Sequence, residues 1–278
     1  MTNLINLMEV GLQSAVFIFG TIVGSFLNVV LLRKNTGETI INGRSRCFSC
    51  NKIIVWYDNI PILSYFVLGG RCRWCNSKIS WQYPIVEFLV GLLAILIYTK
   101  NIKHQVFDIL FDFGAFSALF AVAAYDARTK IIDRHLLYIF VGFSCVVIAM
   151  RWFWSPFSSG VIFYDIVSAG AIWFFFWAMC YFSNETWMGR GDSAVAWWCA
   201  IFLGYPLSVA ALLFSFWIGG IFGAFLLTLN QVKIFNKKRQ EDNIMKMQIP
   251  FAPFLALGTF FSWYFADILM LVYETFLW

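Results

Sequence analysis

The sequence predicts an all-α, polytopic membrane protein with about eight transmembrane helices and one large cytoplasmic loop. Three observations predict this fold class. The 278 residues are 61% hydrophobic and only 13% charged. Their mean hydropathy is +0.74. Apolar windows also recur at the length of about twenty residues that a helix needs to cross a hydrocarbon core of about 30 Å. We therefore expect an integral membrane protein.

Eight apolar windows are candidate membrane spans. The first extends beyond twenty residues and is followed by Arg33 and Lys34, so we expect a retained span and not a cleaved secretory signal. The sixth is too short to cross the membrane at about 1.5 Å per residue, so either its helix begins before Asp192 or its ends lie below the membrane surface, and both options keep Asp192 close to the bilayer. A Gly-Tyr-Pro turn at 204–206 separates it from the seventh. The windows lie near 9–32, 83–99, 106–125, 136–153, 161–182, 192–204, 207–231 and 250–277.

The distribution of basic residues predicts the orientation in the membrane. Seventeen of the twenty Lys and Arg residues fall in the segments 33–82, 126–135, 183–192 and 232–249. Because basic residues beside spans are retained in the cytoplasm, we expect these segments on the cytoplasmic side and both termini outside. Topology and attraction to anionic membrane lipid then explain the net charge of +5, and no nucleic-acid partner is expected.

The first of these segments, 33–82, contains two pairs of cysteines. Cys47 and Cys50 form the first C-x2-C pair, and Cys72 and Cys75 form the second after twenty-one intervening residues. Two pairs at this separation supply four thiolates at the corners of a tetrahedron. Two disulfides, the alternative, would require an oxidising compartment. We therefore expect a zinc-ribbon-like loop whose metal is structural, since four cysteine ligands leave no open position for water.

Carboxylates are the candidates for chemistry, because the motifs of other enzyme classes are absent. The sequence has no H-E-x-x-H, no G-x-S-x-G, no G-x-G-x-x-G and no Walker motif. Acidic residues within or beside spans are costly to bury and are usually functional. Glu87, Asp108 and Asp112 qualify, but each has a structural alternative. The two aspartates could meet water or nearby lysines, and Glu87 could form a hydrogen bond between helices.

Two other aspartates stand apart from these. Asp126 in "YDARTKIID" and Asp192 in "GRGDSAVA" both lie where an apolar segment meets charged residues on the predicted cytoplasmic side. Gly189 and Gly191 permit a tight turn and the close approach of another chain. Two neighbouring aspartates share one proton, so one takes a proton from water while the other polarises a peptide carbonyl, as in aspartyl proteases. Alternatively, they cap helices or pair with basic neighbours: Arg128, Lys130 and Arg190.

Six segments, taken in order, resemble the type IV prepilin peptidase family, and the resemblance covers nearly the whole chain. Two of the six are the aspartate turn and the G-x-G-D sequence described above. The others are "GSFLNVVLLR" at 24–33, the four-cysteine loop with "WYDNIPILSY" at 56–65, "YPIVEF" at 83–88 and "IPFAPFLALG" at 249–258.

This resemblance implies a membrane aspartyl endopeptidase of the bacterial inner membrane, with Asp126 and Asp192 as its catalytic pair. The implied substrate is a type IV prepilin, or a pseudopilin of type II secretion, whose basic leader is removed after a glycine at the cytoplasmic face. The large cysteine loop resembles that of bifunctional members, which N-methylate the new N-terminus with S-adenosylmethionine. The implied organisation is an N-terminal region at 1–99, which contains the loop at 33–82, and a six-span peptidase core at 100–278.

Two positions depart from the family pattern. Ile132 stands where proline is usual, and Ala194 stands where lysine is usual. We therefore expect a looser turn after Asp126 and one positive charge fewer near Asp192. Two alternative functions stay open. Presenilin-like intramembrane proteases also resemble the chain in a tyrosine–aspartate pair and G-x-G-D, but they lack such a zinc loop. A non-enzymatic membrane scaffold or transporter would use the cysteine loop for docking.

Overall fold

The computed structural model describes residues 2–35, 39–40, 43–102, 105–154, 159–185, 188–236 and 250–277. Regular structure in these residues is helical, apart from two isolated β-bridges. A 3₁₀ turn at Trp56–Asn59 precedes the second helix. The helices are α1 (Thr2–Arg33), α2 (Leu63–Val67), α3 (Gln82–Lys100), α4 (Val106–Thr129), α5 (Arg134–Trp154), α6 (Ser159–Phe182), α7 (Arg190–Leu203), α8 (Leu207–Asn236), α9 (Ala252–Tyr264) and α10 (Ala266–Leu277).

The all-helical membrane fold is confirmed, but the number of spans is smaller than the predicted eight. Among the described residues, six helices are long and apolar enough to cross a membrane, and α9 with α10 brings the number to seven if that pair, bent by 72°, is one span. The eighth window, 250–277, is this bent pair, and the sixth window does not qualify. Its helix, α7, has 14 residues, which gives a length of only about 21 Å. Most of the basic segment 232–249 lies outside the described residues.

The chain divides into two compact units, Met1–Phe113 and Gly114–Trp278. In the first unit, α1 and α3 pack along each other at very short distance. A Cβ on Gly24 would lie 2.8 Å from the Cα of Glu87, so this crossing requires glycine. Asn28 Nδ2 donates to the Tyr83 carbonyl at 3.1 Å. The two helices therefore form a fixed pair next to the segment that contains the cysteines.

In the second unit, the short helix α7 is surrounded by neighbours. It packs against α5, α6, α8 and α9. The side chains that it buries are small or apolar and include Val195, Ala196, Cys199 and Ala200. A helix this short and apolar is held in place by packing on several sides. Both ends of α7 are therefore held in fixed positions by the helices around it.

The C-terminal end of α7 meets a buried ion pair. Arg151 Nη2 lies 2.8 Å from Asp165 Oδ2, and Arg151 Nη1 donates to the Phe202 carbonyl at 2.8 Å. Asp165 Oδ2 also accepts the indole N–H of Trp152 at 3.1 Å, and its Oδ1 accepts the backbone N–H of Tyr205 at 2.8 Å. These bonds join α5, α6 and the turn after α7.

Candidate active site

Asp126 lies in the last turn of α4, and its side chain is buried. The helix ends in a compact turn in which the backbone N–H of Lys130 donates to the Asp126 carbonyl at 2.7 Å. Lys130 has a positive φ of 57°. Asp133 then caps α5, because its Oδ1 accepts the backbone N–H of His135 at 2.9 Å. Hydrogen bonds therefore close both ends of the turn that follows Asp126.

Asp192 lies in the first turn of α7 and is also buried. Its Oδ2 accepts the backbone N–H of Gly189 at 3.2 Å, so this oxygen does cap the helix. Its Oδ1 is buried and has no hydrogen-bond partner in the described part of the chain. Arg190, one of the basic residues considered as a partner, forms an ion pair with Glu185. Capping therefore accounts for only one of the two Asp192 oxygens.

The structure brings the two predicted aspartates together. Asp192 belongs to α7, which is not among the helices long and apolar enough to cross a membrane. The pKa of its carboxyl is raised to about 7, first by burial and then by the negative charge of Asp126. Asp126 Oδ2 is likewise buried and lacks a partner among the described residues. The backbone N–H of Ala252, at the start of α9, is close enough to interact with the Asp126 carboxylate. The site therefore combines the end of α4 with the beginnings of α7 and α9.

The two glycines before Asp192 differ in the reason for their presence. Gly189 has φ −79° and ψ 153°, an extended conformation that does not require glycine. Gly191 lies in close contact with the next segment: a Cβ there would lie 3.0 Å from Ile132 Cδ1 and 3.1 Å from Ile132 Cβ, so Ile132 would have to move slightly. Ile132 belongs to the turn after Asp126. The contact between Gly191 and Ile132 thus joins the two aspartate segments.

The other candidate carboxylates each have a structural partner. Glu87 and Asp112 are buried to a similar degree as Asp126 and Asp192, so burial does not separate these pairs, whereas the unpartnered oxygens of Asp126 and Asp192 do. Glu87 accepts the Ile62 backbone N–H at 2.7 Å, Asp108 accepts the Gln105 backbone N–H at 3.2 Å, and Asp112 accepts Asn101 Nδ2 at 2.8 Å.

The four cysteines come together in the first unit and fit a metal such as zinc. The sulfur atoms of Cys47, Cys50, Cys72 and Cys75 all lie within 4.8 Å of one another. Cys47 Sγ and Cys75 Sγ are 3.8 Å apart. A tetrahedral zinc with Zn–S bonds of about 2.3 Å has sulfur–sulfur edges of about 3.8 Å, whereas a disulfide bond is about 2.05 Å long. The spacing therefore fits four sulfur atoms that bind one metal ion, and not two disulfide bonds.

The two cysteine pairs have the same local fold. In both, the N–H of the first cysteine, Cys47 or Cys72, donates to the carbonyl five residues later, at 3.0 Å and 2.9 Å respectively. Asn51 and Asn76 follow the second cysteines, and both have φ 54°. The sequence R-C-x-x-C-N accordingly occurs at 46–51 and again at 71–76. This internal repeat was not part of the sequence prediction.

Hydrogen bonds favour the thiolate form at two of the four cysteines. The pKa of the Cys47 thiol is lowered to about 6, first by the backbone N–H of Cys50. The pKa of the Cys75 thiol is lowered first by the Ser77 hydroxyl. The backbone N–H of Lys52 lowers the pKa of the Cys50 thiol, but burial and the neighbouring thiols outweigh it and raise that pKa to about 11. The thiolate, which is the form that binds metal, is therefore favoured at Cys47 and Cys75.

Two family models match the chain. One, described as "Bacterial Peptidase A24 N-terminal domain", matches residues 18–101, which contain the four cysteines. The other, described as "Type IV leader peptidase family", matches residues 113–224, which contain both aspartates. A prepilin leader peptidase/N-methyltransferase of Bacillus subtilis (strain 168) is 30% identical over 261 residues, covering 94% of this chain and 97% of that protein. The chain belongs to the type IV leader peptidase family.

Other relatives agree with membership of the type IV leader peptidase family. A prepilin leader peptidase/N-methyltransferase of Myxococcus xanthus (strain DK1622) is 51% identical over 77 residues, which cover 28% of this chain and 23% of that protein. One of Aeromonas hydrophila is 27% identical over 295 residues, which cover 94% and 93%. No solved structure matches the chain significantly. The chain is therefore an enzyme of this family, and neither the presenilin-like nor the non-enzymatic alternative gains support.

Sequence reasoning missed two contributors to the aspartate site. Ala252 acts through its backbone N–H, for which its side chain gives no signal. The only sequence signal for this position was that Ala252 lies in "IPFAPFLALG", one of the segments that resemble the family. Ile132 was noted only for replacing a proline, and its contact with Gly191 depends on tertiary packing.

Proposed function

We propose that the protein is an aspartyl endopeptidase whose catalytic pair is Asp126 and Asp192. The observation that carries this proposal is that each aspartate is buried and has one oxygen without a partner among the described residues. A buried polar atom is normally hydrogen-bonded, and an exception needs an explanation such as a catalytic role. Binding of water and of a peptide carbonyl at these oxygens is that explanation.

The chemistry requires the pair to hold one proton. Asp192 carries it at neutral pH, in keeping with its raised pKa of about 7, and Asp126 acts as the base. Asp126 takes a proton from water, whose oxygen attacks the scissile carbonyl carbon while Asp192 donates its proton to the carbonyl oxygen. The carbon–nitrogen bond then breaks, the leaving nitrogen takes the proton held by Asp126, and one hydroxyl of the intermediate returns a proton to Asp192. The products are a leader that ends in a carboxyl group and a new α-amine.

The proposed substrate is a prepilin or a pseudopilin, cut after a glycine at the cytoplasmic face of the bacterial inner membrane. Support comes from the names of the relatives, which are prepilin leader peptidases. The distribution of basic residues supports a cytoplasmic position for both aspartate turns. The extended backbone at Gly189, which has no side chain, lets a substrate strand approach Asp192 closely.

We further propose that a zinc ion bound by Cys47, Cys50, Cys72 and Cys75 holds the N-terminal loop together. Four cysteine ligands fill the coordination sphere, so the ion takes no part in hydrolysis. The proposal includes a division between an N-terminal region at 1–99 and a peptidase core at 100–278. Metal analysis of protein purified under reducing conditions tests the zinc assignment. One zinc per chain is expected, with loss in Cys72→Ser; metal-free wild-type protein would contradict it.

N-methylation of the new N-terminus is the proposed second activity. The support is the second half of the relatives' names, N-methyltransferase. The α-amine freed by cleavage attacks the methyl carbon of S-adenosylmethionine, the carbon–sulfur bond breaks and the amine loses a proton to water. The sequence has no glycine-rich nucleotide loop, so no donor site is assigned to particular residues.

The test uses purified protein with two peptides, analysed by mass spectrometry. The first is a prepilin N-terminal peptide with its leader, and the second is the same peptide already cut after the glycine. We expect cleavage of the first at the glycine and, with S-adenosylmethionine present, addition of one methyl group to the second. Cleavage without methylation makes the chain a peptidase only. Cleavage inside the apolar segment, or none by wild-type protein, would contradict the proposed function.

A further inference from the structure

The segment between the two cysteine pairs contains a strained residue held by a buried carboxylate. Ile62 has φ 63° and ψ −55°, and the Leu63 N–H donates to the Pro61 carbonyl at 2.6 Å. This is a γ-turn with a positive central φ, which is rare and strained, and more so for a β-branched residue. The Ile62 N–H donates to Glu87 Oε2 at 2.7 Å. The strained turn is thus fastened to helix α3.

The position of Glu87 along α3 shows how deep this attachment lies. The 19 residues of α3 span about 28 Å, close to the thickness of about 30 Å of a hydrocarbon core. The helix therefore has no spare length at either end. Glu87 comes five residues after Gln82, so it lies about 7.5 Å inside the start of the helix. The Ile62 backbone must reach the same depth.

The packing of α1 against α3 keeps Glu87 in this position. The Glu87 backbone is in contact with Gly24, whose added Cβ would lie 2.8 Å from the Glu87 Cα. The Ser25 hydroxyl also hydrogen-bonds to the Glu87 carboxyl. Helix α1 packs against the Glu87 backbone, and the Glu87 carboxyl group bonds to the Ile62 N–H and to Ser25. The segment around Ile62 therefore lies against the paired helices.

The side chains around the turn suit a lipid environment. Residues 59–70 contain no charged residue. Within them, Leu63, Phe66 and Val67 of α2 are 58%, 61% and 72% exposed. Tyr65 contacts Trp81, directly before α3, with ring centroids 4.9 Å apart. Exposed apolar residues with aromatic neighbours at the start of a span are typical of a membrane interface.

We propose that residues 59–70 dip into the lipid of the membrane beside α1 and α3, so that α2 presents its exposed apolar side chains to acyl chains. The occupant of this surface is bilayer lipid, because the surface continues that of the two spans at the depth of Glu87. Charged residues occur only outside the segment, and the one directly before it has an ionic partner. Asp58 before it is paired with Arg73 through two bonds, at 2.8 Å and 2.5 Å. The segment anchors the cysteine module to the bilayer, whatever reaction the enzyme performs.

The test measures the depth of a spin label at position 66. p-Acetylphenylalanine replaces Phe66 and is labelled through its ketone, which leaves the cysteines untouched. The same label at Phe88 in α3, 50% exposed, is the lipid reference, and at the exposed Ser49 it is the water reference. Protein in phosphatidylcholine–phosphatidylglycerol nanodiscs is exposed to oxygen, which concentrates in lipid, or to a water-soluble nickel chelate. We expect the oxygen-to-nickel accessibility ratio at position 66 to match that at position 88.

Two results would overturn the proposal. A ratio at position 66 equal to that at Ser49 would place the segment in water. Low accessibility to both reagents would mean that protein, such as a second copy of the chain, covers it. The Glu87 attachment is tested in the same assay. Glu87→Gln keeps an oxygen acceptor and should leave the ratio unchanged, whereas Glu87→Ala should shift it towards water with the label at Phe88 unaffected. An unchanged ratio in Glu87→Ala would refute the role of Glu87.

Discussion

The two ends of α7 have buried aspartates in opposite states. Near its C-terminal end, both oxygens of Asp165 accept hydrogen bonds, one of them within an ion pair to Arg151. At its N-terminal end, Asp192 and its neighbour Asp126 each keep an oxygen without a partner among the described residues. Burial is similar, with exposures of 2%, 8% and 4% for Asp165, Asp192 and Asp126. Hydrogen-bond satisfaction, and not burial, therefore distinguishes Asp165 from the two aspartates proposed to be catalytic.

The largest expected effect on stability is at the satisfied end. Asp165→Asn keeps the shape of the side chain but removes the charge that faces Arg151. Breaking a buried ion pair costs about 3–5 kcal/mol, so we expect a loss of this order in the free energy of unfolding, measured by denaturation in detergent. Asp126→Asn is the matched control and should cost little, because it removes a charge with an unpartnered oxygen. Equal losses in the two variants would remove the distinction between the two ends.

The second prediction concerns the pH dependence of cleavage. The pKa of Asp192 is raised to about 7 by burial and by Asp126. The shared proton is therefore lost as the pH rises through about 7, and kcat/KM should fall above that value. It should also fall in acid, when the pair binds a second proton, and both apparent pKa values belong to the pair. A profile of kcat/KM that still rises well above neutral pH would contradict this account.

The same raised pKa has a consequence for stability. The folded carboxyl binds its proton more tightly than the unfolded chain does, so the folded state is destabilised as the pH rises from the unfolded pKa to the folded one. Asp192→Asn removes the titrating carboxyl group, and with it the part of the pH dependence of the free energy of unfolding that comes from Asp192. Denaturation of the variant should accordingly depend less on pH in that window than denaturation of the wild-type protein.

The smallest predicted effect concerns the contact between the two aspartate segments. Gly191→Ala would place a methyl group 3.0 Å from Ile132 Cδ1, so one segment must shift slightly. We expect cleavage to fall by about tenfold, since small displacements of reacting groups are costly, and Ile132→Ala to restore it. Gly189→Ala is the control, because its Cβ would meet Asp192 Oδ2 at an ordinary 3.8 Å. A larger loss in Gly189→Ala than in Gly191→Ala would show that this contact does not position the pair.

The sequence predicted the elements that depend on local pattern. Long apolar windows gave the spans, because a bilayer fixes the length of a crossing helix. The cysteine pairs could be predicted as one cluster, because four thiolates at that spacing have a common use. Asp126 and Asp192 stood out because each follows or precedes an apolar run at a charged boundary.

The features that escaped prediction depend on tertiary contacts. Asp165 lies inside an apolar run, "VIFYDIVSAG", and its partner Arg151 belongs to another helix. The shortness of α7 was visible, yet its burial among four helices was not. Asn51, Asn76 and Lys130 have positive φ values that depend on the turns they close. Such features require knowledge of which segments meet in space.

The most direct test of the central claim is cleavage of a leader-bearing prepilin peptide by three variants in parallel. Asp126→Asn and Asp192→Asn should each lower the cleavage rate by at least about a thousandfold, because each removes one proton-transfer partner. Asp165→Asn, assayed per folded molecule below its unfolding temperature, should retain the wild-type rate within about threefold, because Asp165 bonds to Arg151, Trp152 and Tyr205 and not to the proposed catalytic pair. Substantial cleavage by Asp126→Asn or Asp192→Asn, or a loss in Asp165→Asn as large as theirs, would contradict the account.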